Sequence, residues 1–155
     1  MKKLILVLSL LTLPFITFGQ ISEKEFEKTI EWINENPSES DNTEFVSKSA
    51  NLIKFQLFNY PSFPINVSGT KEIDKEWKGH KYEKHFLIVY SYNQLLYKLK
   101  SKKYNKLNAC VFSINQVIKS YTLILEKNPE FRIRILDEYK ELDEKKLKKR
   151  IKKLL

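Results

Sequence analysis

Apolar side chains return at intervals of three and four along most of this chain, and breaker residues cut that rhythm into segments of helical length. Ile21-Ser22-Glu23-Lys24-Glu25-Phe26 predicts a helix start. Ser22 is the N-cap, Glu25 completes a capping box, and Ile21 and Phe26 form a hydrophobic staple. Phe26, Ile30 and Ile33 make the apolar face, and Pro37 predicts the helix end near Asn36. After a polar loop over 37–40, Asp41 followed by Glu44 predicts a second capping box, opening a helix to about Asn59 ahead of Pro61 and Pro64. Residues 61–80 lack helical periodicity: Ile65-Asn66-Val67 reads as a short extended piece, with turns at Gly69 and Gly79.

A third helix is predicted over Tyr82–Lys102. It is apolar almost all round and therefore the most buried. A strand over Phe86–Tyr90 is the competing reading. The fourth helix is the most regular, with Leu107, Val111, Ile114, Ile118, Tyr121 and Leu125 spaced as a bundle seam. Asn128 with Pro129 behind it predicts a further helix start, whose buried face is Phe131, Ile135, Tyr139 and Leu142. Asp143 offers one more N-cap, so the C-terminal residues read as a separate short helix. These elements predict an all-α fold, a compact bundle of five or six helices with short loops.

The N-terminal stretch stands outside this pattern. Lys2 and Lys3, the apolar run Leu4–Leu13, and small residues at Thr17 and Gly19 predict a signal peptide over 1–19, cleaved before Gln20. No Cys follows the cut, which argues against a lipoprotein. The expected product is a single helical domain over 20–155, exported to the periplasm or the extracellular side of a bacterial envelope. Cys110 is the lone cysteine, so neither an intramolecular disulfide nor a Cys-based zinc site is available. Removal of 1–19 also leaves only Gly69 and Gly79, too few for a phosphate-cradling loop.

Charge is segmented along the chain. The full sequence carries +9, and cleavage would leave +7. The last eleven residues, KKLKKRIKKLL, hold seven cations and no acid, so residues 20–144 balance to zero. Within that body, 20–44 hold eight acids and two lysines, whereas 45–119 hold thirteen basic residues and four acids.

Trp32-Ile33-Asn34-Glu35-Asn36-Pro37, Leu52-Ile53-Lys54-Phe55 with its Pro-containing sequel, and Val117-Ile118-Lys119-Ser120-Tyr121 resemble a group of small exported all-helical proteins of Bacteroidota, of uncharacterised function. The Gly19-Gln20 junction is similar too. None of these motifs is catalytic. The resemblance implies a helical fold and export, and it adds no reaction.

The basic tail is the first candidate for contact with a partner. With Leu147, Ile151, Leu154 and Leu155 on one stripe, Lys145, Lys146, Lys148, Lys149, Arg150, Lys152 and Lys153 fan over the rest of a basic amphipathic helix. Such a helix either lies on an anionic membrane or lipopolysaccharide surface, or docks its stripe on the bundle and shows its lysines to water. Trp32 projects away from the apolar face of the first helix, as an interaction anchor or a side chain covered by a neighbour. Glu23, Glu27, Glu31 and Glu35 form a ridge that reads as a solvated face or a receiver of basic groups.

The aromatic run Phe55, Phe58, Tyr60 and Phe63 reads as packing or as a binding rim. The Lys98–Lys106 cluster with Tyr97 and Tyr104 looks like a nucleic-acid patch, a partner that export disfavours. His80 and His85 stand five apart, a poor spacing for a metal or catalytic pair, and Cys110 reads as a core filler. Asn66-Val67-Ser68 is a glycosylation sequon only in a eukaryotic secretory pathway. The chain therefore reads as a non-enzymatic exported protein without metal or cofactor. It is expected to bind another protein as an accessory or immunity-type factor, with anionic-surface binding by the tail as the alternative.

Overall fold

Helices α4 (Glu83–Lys100) and α5 (Lys106–Lys127) pack against each other more extensively than any other pair and form the axis of the fold. The structure, a computed structural model, describes residues 21–39, 41–64 and 71–155, without the side chains of Lys71 and Asp74. The expected signal peptide, the extended piece at Ile65–Val67 and the turn at Gly69 lie outside the described residues. Around the axis stand α1 (Glu23–Glu35), α2 (Thr43–Asn59), α3 (Lys71–Trp77), α6 (Arg134–Lys140) and α7 (Glu144–Lys152). The protein is all-α, with seven helices and no strand among the described residues.

Local chemistry sets most of the boundaries. Ser22 and Glu25 form the expected capping box. The Ser22 N–H donates to Glu25 Oε2 at 2.8 Å, and the Glu25 N–H donates to Ser22 Oγ at 3.2 Å. That cap holds the Glu25 carboxyl below its ordinary pKa, chiefly through the Ser22 backbone hydrogen bond. Helix α2 begins one residue later than Asp41 implies, because Asn42 Oδ1 takes the Phe45 N–H at 2.9 Å. Asp143 caps α7 as expected, accepting from the Lys146 N–H at 2.8 Å. Gly79, at φ 81°, makes the turn between α3 and α4 in a left-handed conformation that glycine adopts freely.

Helix α4 is apolar or buried on every side over residues 89–96, as its central place requires. Helix α5 is rotated from the expected seam. Val111, Ile114 and Tyr121 of that seam face the core together with Cys110, Val117 and Ile124, while Leu107, Ile118 and Leu125 are half-buried. Small and hydroxyl residues explain the rotation: Ala109, Ser113 and Ser120 are fully buried beside that face.

Two expectations about helix boundaries also fail between residues 61 and 134. Residues 71–77 are helical, and Asn128 closes α5 instead of opening a new helix, its N–H donating to the Ile124 carbonyl at 2.8 Å. The chain then passes through an irregular stretch before α6, and Phe131 packs in it against Tyr82 and His80. Helix α3 buries Ile73 and Trp77, the latter stacked on Phe86 with centroids 5.5 Å apart. Its two carboxylates one turn apart work outward. Glu76 takes the Ile135 N–H at 2.8 Å at the start of α6, where the N-cap Ile133 has no side-chain oxygen. Glu72 accepts from the Tyr139 hydroxyl at 3.0 Å and from Arg150 Nε at 2.9 Å, joining α6 and α7.

Candidate functional site

The basic tail forms α7, and its apolar stripe is used within the fold. Leu147 and Ile151 are buried against the bundle, with α7 lying on α5. Leu154 is half-buried and Leu155 is 40% exposed. Arg150 is engaged by Glu72, and Lys146 lies 3.3 Å from Asp143 of its own cap. Lys145, Lys148, Lys149, Lys152 and Lys153 are exposed and make no ion pair with the described residues. They form a cationic outer face on a docked helix.

Trp32 is half-buried, and Lys48 of α2 sits over its ring with Nζ 4.6 Å from the centroid. No hydrogen bond, ion pair or ring contact among the described residues joins Trp32 to α7, so these two expected contact elements are not one patch. The glutamate ridge of α1 meets cations of the body and not the tail. Glu27 and Glu31 pair with Lys100, Glu35 lies 3.7 Å from Lys119, and Glu23 accepts from the Tyr60 hydroxyl at 2.6 Å. That last bond, with burial, raises the Tyr60 phenol to about 12. Lys98 of the basic cluster packs over Phe63, and the pairing of Lys100 with α1 divides the cluster further.

The two histidines have unrelated surroundings. His80 is exposed and stands edge-on to Phe131, while His85 is fully buried beside Phe45 and Phe86. His85 Nε2 lies 3.1 Å from Ser120 Oγ, and Ser120 donates its proton to the Asn34 carbonyl at 2.8 Å. With the hydroxyl hydrogen used there, the ring must donate from Nε2, leaving Nδ1 as an acceptor without a partner among the described residues. This is the reverse of the proton traffic in an activated serine, where the ring accepts from the hydroxyl. Burial lowers the imidazole pKa to about 4, so the ring is neutral near pH 7.

Asn34 and Asn93 extend this polar layer with two reciprocal amide hydrogen bonds, at 2.8 and 3.2 Å. They floor a polar cleft of about 250 Å³ between α1, α4 and α5, whose rim acids Glu31 and Glu35 are met by Lys100 and Lys119. Cys110 is fully buried, and burial pushes its thiol above the ordinary value, as suits packing and not reactivity. Among the described residues no three His, Cys, Asp or Glu side chains cluster as metal ligands.

The surface that sequence reasoning missed lies on α2. Phe45, Ser49, Leu52 and Phe55 face inward, yet Val46, Ile53 and Leu57 are 51%, 43% and 60% exposed. With Ala50 they recur at steps of four, three and four, a second apolar seam roughly 120° round the helix from the buried one. Phe58, from the aromatic run, is 72% exposed near the end of the same helix, whereas Phe55 and Phe63 are core and Tyr60 is half-buried. Val46, Ala50 and Ile53 border a groove of about 410 Å³, completed across α4 by Leu87, Ile88 and Lys84. Ser49 stands in its wall, with its Oγ buried and without a hydrogen-bond partner among the described residues. The signal was present as a doubled periodicity in Val46, Ala50, Ile53 and Leu57, hidden by the inward ridge beside it.

No protein-family model, curated protein or solved structure matches this chain. No helix among the described residues is long and apolar enough to cross a membrane.

Proposed function

We propose that this is an exported, non-enzymatic helical protein that works by binding another protein, as an accessory or immunity-type factor in the periplasm or at the cell surface. The observation that carries the reading is the part-exposed seam of Val46, Ala50, Ile53 and Leu57, the first three of which line the α2–α4 groove. Aliphatic side chains left 43–60% exposed at helical spacing are only partly used by the fold. Covering one fully is worth roughly 1.5–3 kcal/mol, and partly buried ones return a fraction of that on binding. Contiguous apolar surface of this kind marks interaction sites.

The test is site-specific photo-crosslinking in the source cells, with a photoreactive residue at Ile53 and, separately, at Lys149. A discrete protein adduct from Ile53, absent when the probe stands at Lys149, is the expected result. Absence of any Ile53 adduct overturns the reading. Export is checked by N-terminal sequencing of the envelope-fraction protein, which should begin at Gln20.

A second reading is favoured by one observation, the five free lysines of α7. They would let the protein rest on anionic lipid or lipopolysaccharide, each near-surface cation adding about 1 kcal/mol at physiological salt. Because Leu147 and Ile151 are spent on the bundle, this association would be electrostatic and would disappear in high salt.

A further inference from the structure

Resting on the protein-binding reading, we propose that the α2–α4 groove receives an amphipathic helix of a partner protein whose flanks are acidic. Three observations define the occupant. The seam from Val46 to Leu57 runs about 16 Å, three turns of helix, with Val46, Ala50 and Ile53 in the groove and Leu57 beyond it, and its steps of four, three and four are those by which one helix accepts the side chains of another. An extended peptide would find no strand edge here, since the described residues hold no strand. The groove also runs open between two helices, which suits a helix laid along it better than an acyl chain that needs enclosure.

Charge decides the flanks. Among the described residues Lys84 is the one charged residue lining the groove, and Lys54, exposed and without an ion pair among them, falls about 40° beyond Ala50 on the outer side of the seam. The nearest acid on α2, Glu44, is turned to Lys48. A second copy of the chain on the same face would bring the same two lysines against these and no free acid to meet them. A partner helix with Glu or Asp beside its apolar stripe meets both cations.

The experiment titrates the purified protein against two fluorescent peptides of about 18 residues, five helical turns. Both carry the same Leu seam, flanked by Glu in one and by Lys in the other. The Glu peptide should bind at least tenfold more tightly. The double change Lys54→Glu and Lys84→Glu should reverse that preference, and Ile53→Asp should weaken both peptides more than tenfold. Ile53 is solvent-facing, so an unchanged melting temperature in Ile53→Asp shows that the loss is at the surface. Equal binding of the two peptides, or a preference unmoved by the lysine changes, overturns the proposal. So does protection of Ile53 by anionic vesicles in place of peptide, or a self-association that Ile53→Asp abolishes. If neither peptide binds but the Ile53 photoprobe still captures one protein, the helical occupant is rejected and the protein-binding reading stands. If both experiments are blank, both fall.

Discussion

Glu76 of α3 accepts the backbone N–H of Ile135 at 2.8 Å, so α6 is capped by a side chain 59 residues earlier in the chain. The same carboxylate pairs with Arg134, which is 70% exposed and adds little on its own. The cap carries the energy. Glu76→Ala should cost about 1 kcal/mol, in the usual range for losing an N-cap acceptor. Glu76→Gln keeps an acceptor oxygen and should recover most of that loss. Chemical denaturation of the three proteins, with amide exchange at Leu136–Tyr139, distinguishes a cap from an ion pair. If Gln and Ala fall equally, the charge and not the cap was holding α6.

His85 predicts an acid-labile fold. Its folded pKa is near 4 and its unfolded value near 6.5, so between those pH values the unfolded chain binds the extra proton. Its contribution to stability is complete above about pH 6.5 and is lost progressively as the pH falls toward 4. The full linkage is about 3 kcal/mol. His85→Gln, which cannot titrate, should start lower in stability and show a flatter profile over that window. Parallel profiles for the two proteins would show that carboxylates alone set the acid limit.

The features that could be read from the chain are those decided within a few residues. Ser22 with Glu25, Asp143 before Lys146 and Pro37 after Asn36 act locally, and the structure places them as their chemistry implies. Helix α3 was invisible because Ile73 and Trp77 offer one apolar repeat in seven residues, and besides the nearby Phe86 its anchors are Tyr139 and Arg150, far along the chain. Asn128-Pro129 carried a genuine start signal. Here Asn128 closes α5, and α6 begins where Glu76 supplies its acceptor. The α5 seam was right at Val111, Ile114 and Tyr121 and wrong at Leu107, Ile118 and Leu125, because apolar spacing alone ignores Ser113 and Ser120, which can be buried when the facing helix brings a partner or little bulk. The outer face of α2 was missed because both of its stripes are apolar, and sequence does not say which one water keeps.

Asn34 and Asn93 should behave as one unit. Each amide satisfies the other in the interior, and Asn93 Nδ2 also donates to the Val89 carbonyl at 2.7 Å. Asn93→Leu leaves the Asn34 amide buried without its partner, a loss of about 1–3 kcal/mol. Asn34→Leu should cost a similar amount. In the double variant no polar side chain is orphaned, so the two losses should fall short of adding by about 1 kcal/mol or more. Strict additivity in urea unfolding would mean that the amides are held by their own helices and not by each other.

The tail separates packing from charge within nine residues. Ile151 is fully buried and Leu147 nearly so, while the cations around them point outward. Ile151→Ala should therefore cost about 2–4 kcal/mol, or detach α7 if the helix frees itself before the bundle melts. Lys145, Lys149 and Lys152 changed together to Gln should alter stability by no more than about 0.5 kcal/mol per site, and in the favourable direction, because like charges on one short helix repel. That relief should shrink as salt rises, whereas the Ile151→Ala loss should be indifferent to salt. Arg150 is the exception among the cations, since its Nε meets a Glu72 that Tyr139 also holds. Arg150→Gln should loosen α7 measurably in amide exchange where the three lysine changes do not. Should the lysine triple variant instead unfold α7, the cationic face would be part of what holds the tail, and the packing account of α7 would fail.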